Sequence, residues 1–214
     1  MPSALTTRFC LVRHGETDWN IERRLQGQID IQLNTTGLQQ ADRLSQALAQ
    51  AGLAFSALYV SDLQRARQTA AAIARDNALT PIATERLRER HFGHFQGLTY
   101  AEAEVRIPED YRLFKSRDPA YAPGSGESLA VFQSRVQTFF DEAAARHPGQ
   151  TVLVVSHGGV LDIAYRMANK LPITHQRDFP IPNAALNWIS HVDGEWQLER
   201  WADQSHLEHS RDEL

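Results

Sequence analysis

Apolar residues run almost unbroken through 9–12, 57–60 and 151–155, and each run ends in polar residues or glycine. Runs this short and this apolar predict strands buried on both faces. Between them the spacing changes. Leu38, Ala41, Leu44 and Leu48 recur at threes and fours within 36–51, and 63–75 carries an alanine-rich face. Both patterns predict amphipathic helices. A longer helix is expected from near Glu127 to just before Pro148, with Leu129, Phe132, Val136, Phe139 and Phe140 on one side. Toward the C-terminus, 185–191 and 196–201 flank Asp193-Gly194, a dipeptide suited to the positive φ angles of a tight hairpin turn. Strands alternating with helices predict an α/β fold around a mostly parallel sheet. Residues 98–126 break the rhythm with Pro108, Pro119, Pro123, Gly124 and Gly126 among charges, and are read as a variable insertion over the sheet edge. No repeat or low-complexity segment divides the chain, so 1–214 is expected to be a single domain.

Composition narrows the functional classes. With 42% hydrophobic residues the chain can build its core without disulfides, and its one cysteine, Cys10, sits inside an apolar run where it packs as a small hydrophobe. A net charge of −4 argues against a nucleic-acid partner, so any anion site must be locally basic. No segment reaches the roughly 18 apolar residues of a membrane span, and residues 1–8 lack the apolar stretch of a signal peptide. A cytoplasmic protein without a membrane partner is expected. The terminal Arg211-Asp212-Glu213-Leu214 resembles a retention signal, but without a secretory leader it is read as coincidence.

The candidate chemistry lies at the strand ends. The three apolar runs lead into Arg13-His14-Gly15, into Ser61-Asp62 followed by Arg65, and into Ser156-His157-Gly158-Gly159. In an open α/β sheet, ligands bind beyond the carboxyl ends of the strands, so these segments can meet at one pocket. Two guanidinium groups and two imidazoles suit phosphate oxygens, and the glycines allow close backbone approach. A neutral imidazole nitrogen is a competent nucleophile toward phosphorus, and neighbouring arginines both disfavour its protonation and stabilise the equatorial oxygens. His14 is assigned the attack. The other seven of the nine histidines, His91 and His94 among them, carry no such context, and no metal is assigned.

Residues 11–20 (L-V-R-H-G-E-T-D-W-N) resemble the signature of the histidine phosphatase superfamily, which includes the cofactor-dependent phosphoglycerate mutases. The segments 24–28, 36–41, 61–69, 87–93 and 156–159 follow in that family's order, and 203–207 is similar to its usual ending. The resemblance implies a three-layer α/β/α sandwich of the phosphoglycerate mutase type. It implies that His14 is the phosphorylated nucleophile, that Arg13, Arg65 and His157 complete the phosphate pocket, and that Glu89 is the proton donor. Asn20, Gln26, Gly27 and Gly158 match substrate-binding positions. Chemistry supports Glu89 as well, since a carboxyl group beside a dianion has its pKa raised toward working pH.

The expected function is hydrolysis of a small phosphorylated metabolite through a phosphohistidine, with no cofactor. The alternative is a phosphoglycerate mutase, which would need 2,3-bisphosphoglycerate, and a more distant one is a non-catalytic phosphate-binding module. The short interval from Glu89 to His157 and the Gly158-Gly159 pair favour hydrolysis, whereas residues 89–93 are similar to the mutase motif. There is no G-x-x-x-x-G-K loop, no third glycine after Gly124-Ser125-Gly126, and no Cys-x5-Arg loop at Cys10. Arg106, Arg112, Lys115 and Arg117 are expected to face solvent rather than a second anionic group. Oligomeric state is not legible.

Overall fold

The computed structural model describes residues 5–207; the 211–214 tetrapeptide lies outside them. In chain order the elements are β1 Thr7–Arg13, α1 Asp18–Ile21, α2 Thr35–Gln50, β2 Ala57–Ser61, α3 Gln64–Asn77 and β3 Pro81–Thr84. They continue with α4 Tyr100–Arg106, α5 Pro108–Lys115, α6 Leu129–Arg146, β4 Thr151–Ser156, α7 Gly158–Asn169, β5 Leu186–Val192 and β6 Glu195–Asp203. The six strands form one sheet in the order β3-β2-β4-β1-β5-β6. Its first four strands are parallel, while β5 and β6 run antiparallel to their neighbours.

Strand periodicity divides the core. Phe9 and Leu11 point into one apolar cluster with Val152 and Val154, shared with Phe132, Phe140, Val160 and Ile163 of α6 and α7. Cys10 and Val12 point the other way, against Leu44 and Leu48 of α2 and Ala66, Ala70 and Ile73 of α3. Two helical layers on one sheet make the expected three-layer α/β/α sandwich. Burial pushes the Cys10 thiol pKa up, consistent with an inert packing residue.

Several elements differ from the sequence expectation. Leu38 is 47% exposed, because the first turn of α2 turns Gly37 toward the backbone of Glu16 instead. The long helix begins at Leu129, with Ser128 as its N-cap, which frees Glu127 for other contacts. Asp193 and Gly194 adopt φ of 51° and 81°, the hairpin geometry their sequence called for. Residues 98–126, read from sequence as a variable insertion, hold two short helices. These are α4, opened by a Thr99/Glu102 capping box, and α5, which starts on Pro108. Both pack on Leu25, Phe92 and Phe95 through Ala103, Ile107, Tyr111 and Phe114. The segment roofs the carboxyl ends of the strands, where Tyr100, Tyr111 and Phe114 line one cavity with Arg13 and His14.

Candidate active site

The register of the sheet brings the strand ends together. β1 and β4 are neighbours with Arg13 opposite Ser156, so His14 and His157 leave the sheet side by side. Their rings lie 5.2 Å apart. β2 flanks β4 on its other side, which places the Ser61 hydroxyl 2.7 Å from His157 Nε2.

Buried His14 has a defined tautomer. Its Nδ1 lies 2.7 Å from the carbonyl oxygen of Gly15. A carbonyl only accepts, so Nδ1 carries the hydrogen and Nε2 of the neutral ring keeps its lone pair. Burial holds the pKa of His14 well below 6.5, and Arg65 and Arg13 push it the same way against the Gly15 carbonyl. His157 is lowered by burial first and then by Arg65, His14 and Arg13.

The two arginines are held from behind. Arg65, fully buried, donates through Nη1 to Ile29 O at 2.9 Å and through Nη2 to Gly27 O at 2.7 Å. Arg13 donates through Nη1 to Ile181 O at 2.8 Å. Gly27 adopts φ +53°, and a Cβ there would run into the Gln96 side chain, so glycine is required where the loop wraps Arg65.

Glu89 faces this cluster. Its carboxylate accepts from Arg90 N at 2.7 Å and from Gly159 N at 2.9 Å, the latter in the first turn of α7. Burial raises its pKa, and the two N–H groups and Arg65 and Arg13 only partly oppose that shift. A Cβ built on Gly158 would lie 3.7 Å from Arg13 Nε and 4.0 Å from Glu89 Oε2, so Gly158 sits between the guanidinium and the carboxylate.

A cleft of about 440 Å³ opens over these groups and is lined by Arg13, His14, Gln26, Gly27, Arg65, Glu89 and Gly158 together. Seven of the nine predicted site residues therefore share one wall. His157 stands behind His14, fully buried, and its Nδ1 has no hydrogen-bond partner among the described residues. Asn20 does not line the cleft. Its Oδ1 accepts from Thr17 N at 2.9 Å at the start of α1 and meets Asn183 Nδ2 at 3.4 Å, while Asn183 also donates to His14 O at 2.8 Å.

The roof supplies Tyr100, Tyr111, Phe114, Lys115 and Arg117 to the cleft, and Arg23 and Arg177 come from other loops. The expectation for the four cations of the insertion thus splits. Arg106 and Arg112 face solvent, with side chains 62% and 74% exposed. Lys115 and Arg117 line the cleft, and Arg117 donates to Ile173 O at 2.9 Å and meets Asp162 at 3.4 Å. Sequence reasoning gave no site role to Glu127, Arg135 or Asn183, which reach across 36, 49 and 169 residues of chain to His91, Arg86 and His14. No local pattern marks such residues. Among the described residues no group of three or more His, Cys, Asp or Glu side chains is placed to hold a metal ion, and no helix is long and apolar enough to cross a membrane.

A family model for the histidine phosphatase superfamily (branch 1) matches residues 9–204. The chain belongs to that superfamily. It is 41% identical over 201 residues to phosphoglycerate mutase-like protein 4 of Arabidopsis thaliana, across 92% of this chain and 86% of the relative. It is 39% identical over 205 residues to a metal-independent phosphoserine phosphatase of the same plant, across 94% and 83%. Its fold superposes on a mycobacterial glucosyl-3-phosphoglycerate phosphatase, solved in complex with VO3, with a TM-score of 0.80 and 31% identity over 92% of this chain and 99% of that one. Membership of this superfamily, with phosphatase-named relatives at this identity, makes the chain a phosphoric monoester hydrolase.

Proposed function

We propose that the enzyme hydrolyses a small phosphorylated metabolite in two steps through a phosphohistidine on His14. The observation that carries this reading is the fixed tautomer of His14, whose Nε2 lone pair is held neutral in a pocket walled by Arg13, Arg65 and Glu89. In the first step Nε2 attacks phosphorus in line as the ester P–O bond breaks, and protonated Glu89 gives its proton to the departing alkoxide oxygen. In the second, Glu89, now a carboxylate, takes a proton from the attacking water as the N–P bond breaks. Inorganic phosphate leaves and the neutral imidazole returns.

Arg13 and Arg65 bear the charge that spreads over the three equatorial oxygens in both steps. The N-terminus of α7 adds its dipole on the same side. If Ser61 donates to His157 Nε2, the ring presents Nδ1–H as a buried donor, which a phosphoryl oxygen satisfies. Gln26, Gly27 and Gly158 contact the phosphoryl group, while Asn20, away from the wall, braces the loop that carries His14.

In the outer cleft, Arg23 and Lys115 have no carboxylate partner among the described residues, and Lys115 stands 5.7 Å from the Tyr100 ring centroid. They suit a leaving group bearing its own anionic group, as the phosphoserine and glucosyl-3-phosphoglycerate named for the relatives do. The likeness to a phosphoglycerate mutase-like protein keeps a second reading in view, in which a second substrate and not water receives the phosphoryl group. Phosphate release from a panel of phosphorylated acids, with and without 2,3-bisphosphoglycerate, separates the two. Release from at least one ester, lost in His14→Ala, is expected. Interconversion of phosphoglycerates that needs the bisphosphate and releases no phosphate would overturn the reading.

A further inference from the structure

The segment bearing Glu89 has little regular structure to hold it. It runs from a single 3-10 turn at Glu85–Leu87 to another at Gly93–Phe95, so its carbonyls need donors from elsewhere. Ser156 Oγ donates to Leu87 O at 2.7 Å and Gln28 Nε2 to Glu89 O at 3.1 Å, and one side chain serves three carbonyls at once. Arg135, on α6, donates through Nη1 to Arg86 O at 2.8 Å and to Arg88 O at 2.9 Å, and reaches Glu89 O through Nη2 at 3.4 Å. The same guanidinium pairs with both carboxylate oxygens of Glu127, at 2.9 and 2.8 Å. Glu127 in turn accepts from His91 N at 2.9 Å and donates its own backbone N–H to His91 O at 2.8 Å. The chain on both sides of Glu89 is therefore gripped by one ion pair, whose side chains are 19% and 18% exposed.

Neither Arg135 nor Glu127 lines the cleft. Their effect on the reaction must pass through the backbone they hold. We infer that Arg135, locked by Glu127, is the positioning residue that aims Glu89 at the leaving oxygen. The five N–H donors of a guanidinium match the three carbonyl and two carboxylate oxygens met here, whereas an ammonium has only three. The inference rests on the reading of Glu89 as the proton donor.

The test uses leaving groups of different basicity. An alkyl phosphate expels a strongly basic alkoxide and needs the proton, whereas p-nitrophenyl phosphate expels a weakly basic phenolate and does not. The readout is kcat/KM, which reports the transfer to His14. Glu89→Gln calibrates the signature and is expected to lose about 10²–10⁴-fold on the alkyl ester and far less on the aryl one. Arg135→Met is expected to lose about 10- to 100-fold on the alkyl ester and at most about 3-fold on the aryl ester, a fraction of the full general-acid effect. Arg135→Lys should fall between. Should Arg135→Met fail to fold, Glu127→Gln, which keeps the shape and removes the charge pair, is expected to show the same selective loss. Equal losses on both esters in a folded variant, beside a selective loss in Glu89→Gln, would overturn the positioning role alone. Equal losses in Glu89→Gln itself would overturn the acid role of Glu89 on which it rests.

Discussion

Gly159→Ala isolates the placement of the acid from its chemistry. Gly159 is the second residue of α7 and has no left-handed φ, so alanine suits its backbone and improves helix propensity by about 1 kcal/mol. The added methyl, however, would overlap Glu89 Oε1 and lie 3.1 Å from both Glu89 Cδ and Phe132 Cε1. Restoring ordinary contact moves the carboxylate by about 1 Å, a displacement that can cost roughly 10²-fold in rate. It also breaks the 2.9 Å bond from Gly159 N, a loss of about 1 kcal/mol that offsets the propensity gain. The melting temperature should thus stay within about 4 °C of the parent. Because that N–H opposes the upward shift of Glu89, its loss raises the carboxyl pKa further. The alkaline limb of the kcat/KM profile, where the acid deprotonates, is then expected to move to higher pH while the plateau falls about 100-fold. The assay is phosphate release across pH on a saturable ester, with thermal melts in parallel. A plateau within about twofold of the parent and an unmoved alkaline limb would refute the role given to Gly159, because a 1 Å shift of the acid cannot be that cheap.

Other outcomes follow from the same geometry. Ser61→Ala removes the partner of His157 Nε2 and is expected to lower kcat/KM about tenfold, the worth of one buried hydrogen bond, without changing the fold by circular dichroism. Lys115→Ala with Arg23→Ala should raise KM for an ester carrying a carboxylate more than for one without; equal changes would remove the outer cations from recognition. Stability should depend on pH through the two buried imidazoles. His14 and His157 have folded pKa values below 6.5, so below pH 6.5 the unfolded chain binds protons that the fold refuses, and stability falls as pH falls. Each contributes up to about 1.4 kcal/mol per pH unit in that window. Glu89, raised above its ordinary value, acts in the opposite direction as pH falls toward 4.5, but it is one group against two. Urea midpoints at pH 7.5 and 5.5 measure the balance, and greater stability at pH 5.5 would contradict it.

The parts of the fold most legible in the sequence are those whose burial is uniform. β1, β2 and β4 are covered on both faces, so their runs carry no polar interruptions and stand out. β3 lies at the sheet edge, begins with proline and is mostly exposed, so it has neither an apolar run nor alternation. α7 hides for a functional reason. It starts on two glycines, and at the second of them a better helix former would collide with Glu89. The nucleophile follows β1 directly, Arg13 ends that strand and Arg65 lies in the first turn of the helix after β2, so all three could be placed from sequence. Glu89 could be placed only through the family resemblance, since by itself a lone acid in a loop looks like any surface carboxylate until Gly159, 70 residues away, donates to it. Arg135 and Asn183 are further cases, because what they hold is backbone and no side-chain pattern records that.

The central claim is the covalent intermediate on His14. Mixing the enzyme with a labelled phosphomonoester, quenching in base and mapping the labelled peptide by mass spectrometry tests it directly. Expected is a base-stable, acid-labile phosphoryl group on the peptide containing His14, formed and lost at rates that match turnover and absent in His14→Ala. Turnover with no label on that peptide, or with the label on another residue, would contradict it.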